Sequence, residues 1–221
     1  MSQKPIRVLI VDDHKIARIG IRAALVDADD IELVGEACDG EEAVAASERL
    51  RPDVILMDLV MPGGLDGVEA IRAIRERQSD AKIVILTGTT VTEVILAGVQ
   101  AGAVGFLDKT TADVEVSKVV RRAARGEPSF PPEITHKLLR FVPPTAAAQG
   151  HPRDLLTKSE LAVLRQVAKG LTNQEIADEI HLAEGTVRTH MTHILSKLGV
   201  DNRVQAALYA LRSGLASLAD G

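Results

Sequence analysis

Asp12, Asp13, Asp58, Thr87 and Lys109 each follow directly on a short apolar run. Arg7–Val11 leads into the two adjacent aspartates, Asp53–Met57 into Asp58, Lys82–Leu86 into Thr87, and Val104–Asp108 into Lys109. If these runs are parallel strands of one sheet, three carboxylates, a hydroxyl and an ammonium converge at one edge. A carboxylate there can accept a phosphoryl group as a covalent aspartyl phosphate. The added negative charge then calls for a Mg²⁺ ion held by one or two carboxylates. It also calls for a basic side chain and a hydroxyl donor on the phosphoryl oxygens. Asp58 is the candidate phosphoacceptor. Asp13 is a direct metal ligand and Asp12 a ligand through water, while Thr87 supplies the hydroxyl and Lys109 the cation. Each residue alone has an ordinary use as a turn, cap or solvated position. Their recurrence at the ends of separate runs is what points to a site.

The elements that must position them alternate over the first ~125 residues. Strands are expected at Ile6–Val11, Ile31–Ala37, Val54–Met57, Ile83–Leu86 and Val104–Leu107. Several lack polar alternation, as strands covered on both faces do. Helical spacing joins Ile16, Ile19, Ala23 and Val26, then Val68, Ile71 and Ile74, then Val116, Val119 and Val120. Asp39 with Glu42 reads as a variant capping box. The pattern predicts an α/β domain with a five-stranded, doubly wound parallel sheet and right-handed crossovers. Ligands of such sheets bind beyond the carboxyl ends of the strands.

Beyond Arg125 the texture changes. Three prolines fall in Gly126–Pro132, Glu133–Val142 has the composition of a short helix, and Pro143–Pro152 reads as a linker. The remainder reads as all-α. Thr157 with Glu160 forms a capping box at the start of one helix. Gln174–Ile180, Glu184–Leu198 and Arg203–Ser213 follow, with glycine stops at Gly170, Gly199 and Gly214. The expected division is 1–127, a linker over 128–153, and a four-helix domain over 154–221.

Charge and composition narrow the classes. The chain has 221 residues and a formal charge of −5. Residues 151–221 hold 8 basic and 8 acidic side chains, so bulk charge does not by itself suggest nucleic-acid binding. No run approaches the ~20 apolar residues of a membrane span. The start of the chain carries no signal-peptide pattern, which with a single cysteine, Cys38, predicts a cytoplasmic location. Cys38 is expected to be a small packed residue.

Thr172–Ala177 followed by Glu184–His190 has the layout of a helix–turn–helix. Val187, Ile194, Leu195 and Leu198 give the second helix a buried stripe, and Thr186, Arg188, Thr189, Thr192 and Lys197 a polar face. Arg188 suits a guanine edge and Thr189 a thymine methyl; Thr186, Lys197 and Arg203 suit phosphates. His190 and His193 fit either role. From spacing alone, a protein-binding bundle remains a close alternative.

The segments VDDH, DVILMDLVMPGGLDGVEA, ILTG and GAVGFLDK resemble the receiver domain of bacterial two-component response regulators, over residues ~5 to ~125. The resemblance implies a flavodoxin-like fold in which Asp58 accepts phosphate from a histidine kinase. It implies Mg²⁺ held by Asp13, Asp58 and the main-chain carbonyl of Val60. It implies that Thr87 and Lys109 bind the phosphoryl oxygens, with Phe106 as the rotating aromatic of a two-state loop. The segment from Leu155 to Leu215 is similar to LuxR-type DNA-binding domains, and together the halves resemble the NarL/FixJ subfamily. That implies a homodimer on inverted half-sites of double-stranded DNA. Val204, Ala207, Leu208 and Leu211 on the last helix would be shared between core and dimer seam.

Three departures accompany the resemblance. GGLDG after Pro62 is one residue longer than the commonest family spacing between Asp58 and Gly67. Gly88 follows Thr87 where Ser or Ala is more usual, which predicts an altered rate of autodephosphorylation. Thr192 stands where some members carry a basic residue. Two other classes compete. An aspartyl-phosphate phosphatase would need an acid/base Asp at position 60, where this chain has valine. A phosphate-independent scaffold would have lost Asp58, Asp13 or Lys109, and all three are present.

Overall fold

The computed structural model describes residues 4–78, 80–89, 91–127, 129–131, 134, 138, 155–200 and 202–216. The chain forms two compact units, Met1–Pro131 and Pro132–Gly221. The short helix expected at Glu133–Val142 and the linker expected over 128–153 fall outside the described residues, apart from 129–131, 134 and 138.

The first unit alternates strand and helix: β1 (Ile6–Val11), α1 (Lys15–Leu25), β2 (Ile31–Ala37), α2 (Gly40–Leu50), β3 (Val54–Met57), α3 (Gly67–Arg77), β4 (Lys82–Thr87), α4 (Thr92–Ala101), β5 (Gly105–Asp108) and α5 (Ala112–Ala124). The five strands form one sheet in the order β2-β1-β3-β4-β5. Every pairing is parallel. β1 and β3 are neighbours although β2 lies between them in the chain. The order therefore reverses beside β1, and a crevice opens there past the strand ends.

Strand side chains alternate between two covered faces, so no polar residue is needed within β3. Val8, Ile10, Val54, Leu56, Val84, Leu86 and Leu107 pack with Ile21, Leu25, Val116, Val119, Val120 and Ala123 from α1 and α5. The alternate strand positions Leu9, Ile55, Met57, Ile83 and Ile85 are equally buried, as are Ile71 and Ile74 of α3 and Ile95 of α4. Each such Leu or Ile contributes roughly 1.5–3 kcal/mol. With strands apolar at both parities, register is set by these two layers together.

Two expectations are corrected by this unit. The stripe Ile16, Ile19, Ala23 and Val26 has helical period, but it is not the buried face of α1. Ile16 and Val26 are 85% and 72% exposed, and the sheet receives Ile21 and Leu25 instead. α1 carries apolar residues on two faces, and periodicity cannot tell which one the sheet covers. Cys38 is exposed, not packed. It lies between the end of β2 and the Asp39 cap of α2. Asp39 accepts from Glu42 N at 2.8 Å, and Glu42 reaches back to Cys38 N at 2.9 Å, one residue before the cap. The Glu42 carboxylate beside it pushes the Cys38 thiol above its usual range.

The second unit is helical among its described residues: α6 (Lys158–Ala168), α7 (Asn173–Glu179), α8 (Glu184–Leu198) and α9 (Arg203–Arg212). Capping boxes at Thr157/Glu160 and Thr172/Glu175 open α6 and α7. Glycines in the left-handed region follow three of the helices, at Gly170, Gly199 and Gly214. Val163, Leu164, Val167, Ile176, Val187, Met191, Ile194, Leu198 and Tyr209 form the core.

Candidate functional site

Four strand ends bring the expected residues of the first unit together. Asp12 is fully buried and Asp58 and Thr87 nearly so. The Asp58 backbone is held by its N–H on Val11 O at 2.9 Å, and Lys109 by its N–H on Thr87 O at 3.1 Å. The Lys109 ammonium lies 2.6 Å from Asp58 Oδ2 and 2.7 Å from Asp12 Oδ2. Asp58 Oδ1 accepts from Val60 N at 3.1 Å, and Asp12 Oδ1 from His14 N at 2.8 Å. One ligand atom each from Asp12, Asp13, His14 and Asp58 lie within 4.8 Å of one another.

Three carboxylates thus face one ammonium, which leaves a local excess of negative charge. Burial drives the Asp58 carboxyl above the usual carboxylate range, with the hydrogen bond from Lys109 acting in the opposite sense. Burial lowers the Lys109 ammonium, but its hydrogen bonds to Asp12 and Asp58 more than offset this, and its pKa is raised. Lys109 is therefore held cationic between two acids. A cleft of about 640 Å³ opens on the group, lined by residues that include His14, Ile16, Asp58, Val60, Thr87, Gly88 and Lys109. Thr87 Oγ1 borders it and accepts from Thr89 N at 3.2 Å. Phe106 is buried at 5% exposure, and its N–H donates to Ser129 O at 2.7 Å.

The GGLDG loop takes its extra residue in two left-handed glycines, Gly63 (φ 83°) and Gly64 (φ 70°). Glu41 of α2 accepts from Leu65 N at 3.0 Å, and Asp66 with Glu69 forms a capping box that starts α3. Gly67 then passes so close to the end of β3 that a Cβ would overlap Asp58 O and crowd Leu59 Cα. The loop turns before Gly67, and Asp58 lies directly after β3.

Sequence reasoning missed two contributors. His14 Nδ1 lies 2.7 Å from Asp13 Oδ1, a contact made possible by adjacency in VDDH. Arg18 Nη1 donates to Asp12 O at 2.5 Å and its Nε to Glu36 Oε2 at 3.0 Å. It ties the acidic turn to β2. Its placement one turn into α1 was the available signal.

In the second unit, α8 buries Val187, Met191, Ile194 and Leu198. Met191 takes the fourth buried position expected of Leu195, which is partly buried. Thr186, Arg188, Thr189, Thr192, His193 and Lys197 are exposed, and His190 is half-buried. Arg188 Nη2 donates to Glu184 Oε1 at 2.7 Å, one turn back. Thr189 and Thr192 donate their hydroxyls to Gly185 O (3.0 Å) and Arg188 O (3.3 Å). Lys197 Nζ lies 2.7 Å from Glu160 Oε2, bracing α8 against α6. Burial alone would raise the Glu160 carboxyl, but Lys197 and the N–H and hydroxyl of Thr157 bring it down to about 2. Arg203 is buried, with its guanidinium bonded to Asn173 Oδ1 and Leu171 O. Val204 and Leu208 of α9 are buried, and Ala207 and Leu211 pack at the edge of the core.

A parallel sheet with this acid–lysine–hydroxyl cluster, and a helix–turn–helix bundle, define the class of two-domain signalling regulators of transcription. Family models agree with each half. Residues 8–121 match the response regulator receiver domain, and residues 154–210 match the luxR family of bacterial regulatory proteins. The chain belongs to the response regulators of the NarL/FixJ subfamily. It is 43% identical over 210 residues to the transcriptional regulatory protein LiaR of Bacillus subtilis (strain 168), covering 95% of this chain and 99% of that one. Among solved structures it resembles the response regulator ChrA of a heme-sensing two-component system (34% identity, TM-score 0.52, 96% and 100% covered). It also resembles RcsB solved as two dimers on two parallel DNAs (25% identity, TM-score 0.57, 95% and 99% covered). Its function is accordingly that of a DNA-binding transcriptional response regulator, and phosphorylation-dependent control is general in the family. No helix among the described residues is long and apolar enough to cross a membrane.

Proposed function

We propose that Asp58 takes a phosphoryl group from a cognate sensor histidine kinase and that this switches a cytoplasmic homodimer onto double-stranded DNA. The observation that carries the reading is the Lys109 ammonium, shared between Asp12 and Asp58 beside Thr87 in an open cleft. Asp58 Oδ2 attacks phosphorus while the P–N bond to the kinase histidine breaks, and the imidazole leaves with the bonding pair. The hydrogen bond from Val60 N steadies Oδ1 meanwhile. Once Asp58 is phosphorylated, Lys109 turns to the phosphoryl oxygens, and Thr87 releases Thr89 N to donate its hydroxyl to them.

The donor set suits Mg²⁺: hard oxygens in excess of the local cation charge. Asp13, Asp58 and the Val60 carbonyl would hold it, with Asp12 acting through water. When bound it neutralises charge on the transferring group. Val60 carries no group able to move a proton, so the aspartyl phosphate persists as a signal instead of turning over, which favours a regulator over a phosphatase. Phe106 is already buried, so its part in the switch would be a repacking behind Thr87 and not a swing in from solvent.

On DNA, Arg188 and Thr189 would read base edges. Thr186, Thr192, His190 and His193 would flank them, and Lys197 and Arg203 would face phosphates. Lys197 must share its ammonium with Glu160, and Arg203 must do its work from a buried anchor. Val204, Ala207, Leu208 and Leu211 would contribute to the dimer seam. The test is operator binding by Asp58→Asn with and without phosphodonor. The variant is expected to lose all stimulation, and full stimulation retained would sink the reading.

A further inference from the structure

The recognition helix α8 has two permanent cations, Arg188 and Lys197, and a carboxylate stands against each. Lys197 faces Glu160 across the bundle, which explains that pair as packing. The Glu184–Arg188 pair joins no second element; Glu184 does suit the positive end of the helix dipole in this first turn, a modest effect at the surface. The pair lies on an exposed face, with side chains 43% and 69% exposed. An exposed pair of this kind stabilises a helix only slightly. Yet an acid here stands in the first turn of the helix that enters the groove, where phosphates repel it.

Positions 184, 188 and 192 fall one turn apart along a single line of α8. Glu184 offers a carboxylate, Arg188 a guanidinium, and Thr192 an oxygen whose proton is already donated to Arg188 O. Arg188 spends one N–H on Glu184 and keeps enough for a bidentate bond to guanine O6 and N7. A carboxylate beside it accepts from the amino group of cytosine or adenine, and meets only repulsion from guanine O6 or thymine O4.

We propose that Glu184 is a specificity-determining residue of the DNA interface. It fixes the Arg188 fork for a guanine, admits only an amino-bearing edge next to it, and lowers affinity for DNA of unrelated sequence. The proposal rests on the reading of Arg188 as a base contact.

The test uses the full chain with Mg²⁺ and beryllofluoride, and selection from random double-stranded DNA. The wild type is expected to enrich guanine beside cytosine or adenine in each half-site. Glu184→Ala should lower discrimination at that guanine about tenfold, abolish the neighbouring preference, and tighten binding to a random ~30-bp duplex about three- to tenfold. Glu184→Gln keeps a hydrogen-bond acceptor for Arg188 without the charge. It should retain the guanine preference while showing the same tighter random binding. Enriched sites identical in wild type and Glu184→Ala would overturn the proposal, as would equal weakening on selected and random DNA. A wild type that enriches no sequence would instead sink the base-contact reading, and the proposal with it.

Discussion

Asp58 and Gly88 both line the cleft, and substitution at each is expected to act differently. Burial raises the Asp58 carboxyl, so its charged form costs free energy in the folded state. The sign follows: a carboxylate whose folded pKa is raised destabilises the fold above its unfolded pKa. Asp58→Asn should therefore raise metal-free stability, measured by urea unfolding. A fall in stability would mean that the pairing with Lys109 outweighs burial. Among the described residues, its chain neighbours aside, none has a heavy atom within 4 Å of where a Gly88 Cβ would stand. Gly88→Ala should fold with stability changed by no more than ~0.5 kcal/mol. The methyl group should change the lifetime of the aspartyl phosphate, followed by phosphate release. A lifetime equal to wild type would remove the role assigned to this glycine.

At the scale of elements, two junctions hold the functional surfaces in place. The first is the passage of α3 beneath β3. Gly67→Ala would drive a Cβ into Asp58 O, so either α3 retreats or the phosphoacceptor moves. A cost of about 2–4 kcal/mol is expected, with a matching loss of phosphorylation by a small-molecule donor. The second is Glu160, which joins α6 to α8 through Lys197. Its folded pKa of about 2 lies below the ~4.3 of an unfolded chain, so its contribution is complete above pH ~4.3 and fades as pH falls toward 2. Hydrogen exchange of α6 amides in the full chain should show Glu160→Gln less protected than wild type at pH 5. The gap should close toward pH 2. The Thr157–Glu160 capping box and the glycine stops were legible in the sequence because they are local rules, whereas the Asp66–Glu69 box that starts α3 obeys the same rule and went unread. The buried face of α1 and the exposure of Cys38 were not, because they depend on which surface the sheet and the α2 cap leave covered. The strand-end residues were legible for a further reason: a parallel sheet turns four separate chain positions into one edge. His14 and Arg18 were harder, since their roles exist only once α1 has turned back over that edge.

At the scale of the whole molecule, the expected output is a change of mass. The full chain with Mg²⁺ and beryllofluoride should double its mass in light scattering, while Asp58→Asn stays unchanged. A mass unaffected in both would place the switch in release of the DNA-binding unit instead of dimerisation. The manner of pairing is constrained by the residues just before Pro132. β5 closes one end of the sheet, yet Phe106 N is bonded to Ser129 O, and Ser129 N bonds to Val104 O. The chain leaving α5 thus caps the outer rim of β5 with its own backbone. Strand addition by a second molecule, a mode that favours open-ended fibres and slow separation, is blocked at Val104–Phe106. Copies meeting at those positions would associate through side chains, contacts that separate more readily than a shared sheet.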